Sequence, residues 1–119
     1  MDKLIHACVA YLEIQRPIDI RFVTRLKYKD WHAYHMTLNR GDKILKHVIK
    51  VSLESTFDST RETETIIAHE FVHAWQAEYA PKSAMHGKVF ADKAFELRAK
   101  LIEDGFDIAE DIYDAEVDQ

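Results

Sequence analysis

A single cysteine, Cys8, is all that 119 residues contain, so the chain can close no disulfide within itself and build no multi-cysteine zinc site. A reducing compartment suits it, and Cys8 is expected in the core. Long apolar runs are missing as well: nothing approaches the roughly 18 residues that a membrane span requires. The first twelve residues hold a short apolar stretch, but His6 interrupts it and Glu13 follows it. Neither a basic leader nor a cleavage site accompanies it, so no signal peptide is expected. Internal repeats and low-complexity linkers are absent too. These absences point to a soluble, cytoplasmic chain with no membrane association. A hydrophobic share of 47 % is enough for one real core, and there is no room for a second domain.

Glycine and proline are scarce, and neither occurs between Thr60 and Ala80. That stretch is expected to be a helix. Ser59-x-x-Glu62 reads as its capping box. Ile67, Phe71, Ala74 and Glu78 follow one stripe, while Ile66, His69, Glu70, His73 and Ala77 follow an adjoining one. Within it lies His69-Glu70-Phe71-Val72-His73, an HExxH pattern. Two histidines four apart stack on one helix face, roughly 6 Å apart along the axis, so both imidazoles can hold one Zn²⁺. Glu70, rotated about 100° from His69, can reach a water at the metal without being its natural next ligand, which is the geometry of a general base. A lone histidine would more simply be a half-buried core residue; the pair with its Glu favours a metal.

Catalytic zinc commonly takes three protein ligands and keeps one position open. No further histidine occurs between Ala74 and Ala80. The next is His86, in Met85-His86-Gly87-Lys88-Val89-Phe90, after a break at Pro81 and at the opening of another helical pattern. Val89, Phe90, Ala94, Leu97 and Leu101 continue the face that begins at His86, so a helix packing that side on the first would aim His86 inward. Glu96 and Asp92 are rivals, because a carboxylate on a following helix can also complete such a site, and Glu96 is the main competitor.

The run His69-Glu70-Phe71-Val72-His73-Ala74-Trp75, followed by His86-Gly87-Lys88-Val89-Phe90, resembles the SprT-like zinc metallopeptidases, which include the bacterial SprT proteins and the protease domain of Spartan. The resemblance extends over residues 1–104. It implies a compact zincin-like domain in which a helix and a small sheet precede the HExxH helix, and it implies that His86 is the third zinc ligand. It further implies proteolysis of proteins bound to or crosslinked with DNA. The cysteine-rich zinc ribbon that many members carry has no counterpart among these residues, and functions that need the ribbon are not expected.

The remaining pattern is α+β. Leu4, Ile5, Cys8, Tyr11 and Leu12 recur at helical spacing, and Pro17 marks a stop, so a first helix is expected over about residues 2–15. Ile18 to Val23 alternates and predicts a strand extending toward Lys27; Ala33 to Leu38 predicts a second, closed by a turn at Asn39-Arg40-Gly41-Asp42; Ile44 to Leu53 predicts a third. In that third strand Ile49, Val51 and Leu53 share one face and Lys50, Ser52 and Glu54 the other, as expected for a sheet with one side on helices. His32 and His35 would point to opposite faces, which argues against a second metal site. His47, on a face with Leu45 and Ile49, reads as a hydrogen-bonded residue at the core edge. Trp75 reads as packing, and Tyr79 and Lys82 are candidates for stabilising an oxyanion.

Charge is unevenly distributed. Residues 103–119 hold eight acidic and no basic side chains, so residues 1–102 carry +3 beneath an overall −5. Residues 16–50 are more basic still, at +6. The plain reading is a solvated sheet face and a solubilising acidic tail over 105–119. The sharper one is a basic surface for DNA or an acidic partner, which the tail would cover by mimicking a polyanion. Gly105 can end the second ligand helix, and Asp107-x-x-Glu110 can cap a short one bearing Ile108, Ile112 and Tyr113.

The sequence thus leads to a zinc-dependent endopeptidase for unfolded or extended protein segments, with Glu70 as base and the peptide paired along a sheet edge. The alternative is a zinc-stabilised binding or inhibitory protein that acts through its acidic tail or basic sheet surface. A third is nucleic-acid binding by residues 16–50.

Overall fold

The computed structural model of the protein describes residues 2–24, 26, 32–53, 60–110 and 112. Its elements run α1 (Asp2–Leu12), β1 (Ile18–Val23), β2 (Ala33–Arg40), β3 (Lys43–Ser52), α2 (Thr60–Tyr79) and α3 (Lys88–Glu103). They form an α+β domain with three helices and one three-stranded mixed sheet. The expected capping box at Ser59 and the extension of β1 to Lys27 lie outside the described residues.

The helix α1 buries Leu4, Cys8 and Leu12, one residue per turn on a single stripe. It is shorter than Pro17 suggests. Glu13 takes a left-handed backbone, φ 52°, and the N–H groups of Ile14 and Glu13 donate to the carbonyls of Val9 and Ala10. That is a Schellman closure with Glu where Gly is usual. The sequence gives no glycine to mark this stop, which is why the helix was expected to run on to residue 15.

The strand order is β1-β3-β2, with β1 parallel and β2 antiparallel to β3. Central β3 is accordingly the most buried strand. The turn between β2 and β3 is tighter than expected: Asn39 and Arg40 are still paired with Ile44 and Lys43, and only Gly41 and Asp42 turn, with Gly41 at φ 63°. Positive φ at the first central residue alone is the pattern of a type II′ turn, which suits a hairpin. Between Leu38 and Asn39 the register slips by one, leaving Leu45 as the extra residue of a bulge. Leu45 is 47 % exposed as a result, so it does not share the face of His47 and Ile49 as the alternation implied. Leu53, expected on that same face, is 63 % exposed just past the end of β3.

The inner sheet face meets α2, and α1 and α3 cover the rest of that helix. Every residue from Thr65 to Ala74 is consequently buried. In α3, Phe90, Ala94, Leu97 and Leu101 are buried, whereas Val89 faces outward. Gly105, φ 96°, closes α3 with a second Schellman pair, the N–H groups of Phe106 and Gly105 donating to the carbonyls of Leu101 and Ile102.

Beyond it the chain stays on the domain. Ile108 and Ile112 are fully buried in the same core as α1 and α2. The Thr65 hydroxyl donates to the Arg61 carbonyl and accepts the N–H of Ala109, and Arg98 donates to the Ile108 carbonyl. An exposed Arg61–Asp107 pair at 2.9 Å adds little. Residues 106–109 are not helical, while Glu110 and Ile112 lie in a 3₁₀ turn; the remainder of the expected short helix lies outside the described residues. Among the described residues, the hydrogen bonds of this segment run to α2 and α3 and not to the basic 16–50 region. No described helix is long and apolar enough to cross a membrane.

The left-handed backbone at Glu13 costs a non-glycine residue about 1–2 kcal/mol, partly offset for glycine by its larger unfolded-state entropy. Glu13→Gly is therefore expected to raise the unfolding free energy by about 0.5–1 kcal/mol, and Glu13→Val to lower it, as read by urea denaturation.

Candidate metal centre

Helix α2 delivers His69 and His73 to one buried face, and the turn that follows Pro81 returns the chain so that His86 meets them. One ring nitrogen from each lies within 4.8 Å of the others. His69 and His73 are buried and His86 is exposed. His86 stands two residues before α3 and not in its first turn, as the periodicity had suggested. Glu70 follows His69 in the same buried stretch, 1 % exposed.

The orientation of two rings follows from what their outer nitrogens bind. The Ile112 carbonyl can only accept, so His69 Nδ1, 2.6 Å away, carries a proton and donates it. His69 Nε2 is left with a lone pair. For His73 the logic takes one more step. The side-chain amide nitrogen of Gln76 donates to the Ala84 carbonyl at 2.8 Å and to Ser83 Oγ at 2.9 Å, which turns Gln76 Oε1 toward His73 Nδ1 at 3.1 Å. Nδ1 is again the donor, and His73 Nε2 again has a lone pair. It lies 3.1 Å from Nε2 of His86. Two imidazole nitrogens bound to one tetrahedral zinc stand ~3.3 Å apart, so this pair is close enough to share an ion, as it is to share a proton. The donor set fits a metal.

Phe90 forms the floor. Its ring, fully buried, has its centroid 4.9, 4.5 and 5.2 Å from those of His69, His73 and His86. Gly87, between His86 and α3, allows the turn to close: a Cβ there would sit 2.9 Å from that of Ala84. Ala84 in turn accepts from both Gln76 and Gly87. Gln76 thus ties the ligand helix to the turn that carries His86, and its position three residues past His73 on the buried stripe was the available signal for it.

The rival ligands lie elsewhere. Asp92 pairs with Lys88 at 2.6 Å and Glu96 with Lys93 at 3.0 Å, both on the exposed side of α3. Trp75 packs against Tyr79 and beneath the Lys93 ammonium, 4.8 Å from its ring centre. The Tyr79 hydroxyl donates to the Glu13 carbonyl, and Lys82 is exposed.

A cavity of about 680 Å³ opens beside His73. The inner face of β2 lines it with His35, Thr37 and Asn39; Gln76, Glu78 and Ser83 stand opposite. His35 Nε2 is 2.8 Å from His47 Nδ1, and His47 Nε2 is 2.6 Å from Glu78 Oε2. Glu78 also accepts the N–H groups of Gln15 and Arg16. His47 is thus hydrogen-bonded as expected, but the chain it belongs to was not foreseen, because Glu78 sat on a stripe read only for its apolar members. Burial above all, then the neighbouring His47 and His73, pushes His35 from 6.5 down to about 3. Burial, reinforced by Glu64, holds the Cys8 thiol far above the usual range, so it is inert.

No family model, no curated protein and no solved structure matches the chain. Its chemistry is therefore read from the donor atoms.

In competition with a chromophoric chelator, His86→Ala is expected to weaken Zn²⁺ binding far more than Glu96→Ala. Gln76→Ala, which frees the His73 ring, is expected to weaken it by about 10- to 100-fold. Equal losses in His86→Ala and Glu96→Ala would remove His86 from the ligand set.

His35 also shapes the acid limit of the fold. The unfolded chain protonates this ring near 6.5, whereas the folded chain resists until about 3. Its stabilisation is thus complete above 6.5 and is lost as pH falls through that window. Urea denaturation of metal-free protein is expected to show a steeper decline there for wild type than for His35→Gln, and parallel declines would contradict it.

Proposed function

We propose that the protein is a zincin-like zinc endopeptidase of the SprT-like kind, with His69, His73 and His86 as ligands, Zn²⁺ as the cofactor and Glu70 as the general base. The observation that carries this reading is the convergence of three imidazoles, two with lone pairs turned inward by their partners, beside an open cavity. Zinc, when bound, acidifies a water molecule and polarises a peptide carbonyl. Glu70 then takes the proton from the water and returns it to the leaving amine. Its burial strengthens that exchange, because the surrounding dielectric is low.

The substrate is an extended or unfolded protein segment. Among the described residues β2 lies at an edge of the sheet, and its inner face lines the cavity that His73 also lines. Main-chain pairing along such an edge tolerates many sequences. For a nucleic-acid partner the support is thinner. Arg21 and Lys46 both bind Asp19, and Arg25, Lys27 and Lys29 lie outside the described residues, so nothing on the sheet favours DNA over a peptide. A binding or inhibitory protein with a purely structural metal needs no carboxylate at position 70, next in sequence to a ligand and 1 % exposed.

Glu70→Gln keeps the size of the side chain and removes its proton-accepting oxygen. Hydrolysis of an unfolded protein is expected to fall by about 10²- to 10⁴-fold while zinc content and fold persist. Equal cleavage by wild type and variant would sink the peptidase reading, as would a zinc-loaded wild type that cleaves nothing.

A further inference from the structure

His35, His47 and Glu78 form a chain of three titratable groups that the hydrolytic step does not use. His47 is fully buried and the Glu78 side chain is 7 % exposed. Apolar side chains would fill this space at lower cost, since buried ionisable groups are stabilising only when fully paired. The chain also has a direction. Glu78, fixed by the Gln15 and Arg16 N–H groups, is a carboxylate and accepts the proton on His47 Nε2. With His47 in its neutral form, Nδ1 presents a lone pair that accepts the proton on His35 Nε2. The last atom, His35 Nδ1, has a lone pair and no partner among the described residues, and the ring lines the cavity beside His73.

We propose that His35 contacts substrate directly: its Nδ1 accepts a hydrogen bond from a main-chain N–H of an extended peptide lying in the cavity. This rests on reading the cavity as the peptide-binding cleft of a hydrolase. A main-chain donor is favoured because every residue but proline supplies one, so the contact positions the peptide without selecting its side chains. The Glu78 anchor fixes the ring's tautomer, so the acceptor is already oriented before substrate arrives.

The test uses one peptide that wild type cleaves, prepared as a series with a single N-methyl amide at each residue flanking the scissile bond. Binding is measured by fluorescence anisotropy to zinc-loaded Glu70→Gln, which is expected to turn the peptide over too slowly to deplete it during the reading. At one position the methyl group is expected to raise Kd by about two- to tenfold, the worth of one neutral hydrogen bond. That penalty is expected to vanish in Glu70→Gln/His35→Phe, which has no acceptor, and to persist in Glu70→Gln/His35→Gln, whose amide oxygen can accept. A penalty that survives in the Phe variant, or a flat series, overturns the proposal, as does a change confined to side-chain substitutions in the peptide. Nitrogen NMR of metal-free wild type gives an independent readout should the Phe variant fail to fold. His35 is expected as the Nε2–H tautomer with an Nδ1 shift that moves on adding peptide, and an Nδ1–H tautomer is the contrary result. A zinc-loaded wild type that neither cleaves nor binds peptide refutes the hydrolase reading itself, whereas cleavage with an unaltered penalty refutes only the role of His35.

Discussion

Imidazole lone pairs that face one another repel, and His69 Nε2 and His73 Nε2 both carry one, so bringing these rings to His86 costs energy that a cation or a donated proton among them offsets. Much of the domain serves that meeting. The middle of α2, where two of the rings stand, is buried under the sheet, α1 and α3. Gln76 bridges to the 83–84 turn so that the third can return, Gly87 lets the backbone pass Ala84, and Phe90 limits how far the rings can tilt. The cost of holding the ligands is distributed over contacts that involve no metal. The fold itself therefore pre-orients the three rings.

The segment after α3 belongs to the same arrangement. Its acidic composition suggests a solvated tail, yet Ile108 and Ile112 enter the core and the Ile112 carbonyl determines which nitrogen of His69 faces inward. One peptide group 43 residues from His69 thus orients a ring of the candidate metal centre, as outer partners of ligating histidines generally do. The buried Thr65 hydroxyl, using both its donor and its acceptor capacity, pins this strap to α2 at a point one turn before His69.

How much of this was legible in the sequence depended on whether the signal was local. The HExxH spacing and the apolar face from Phe90 to Leu101 are periodic, and both helices and the pairing of His69 with His73 follow from them; His86 joins them from the turn before α3, which no periodicity marks. The strands were legible by alternation. What alternation could not reveal was the bulge at Leu45, because a one-residue slip depends on the partner strand; it reassigns Leu45 to solvent and leaves Ile44 lining the cavity. The end of α1 was obscured because its left-handed residue is Glu13 and not a glycine. Pairings such as His47 with Glu78, and His69 with Ile112, have no local signature at all, since they arise only when distant elements pack.

A common polarity runs through these pairings. His69 ends on a main-chain carbonyl, His73 on the oxygen of an amide whose orientation a carbonyl fixes, and His35, through His47, on a carboxylate held by two N–H groups. In each case the terminal group accepts, so the proton lies on the outer side of the ring and the lone pair on the inner side. Three separate chains consequently turn acceptor nitrogens toward the same region, at the candidate metal point and along a cavity wall that Arg16 and Lys43 also line. An inward lone pair draws a cation or an N–H donor, the two kinds of partner on which the proposed function relies.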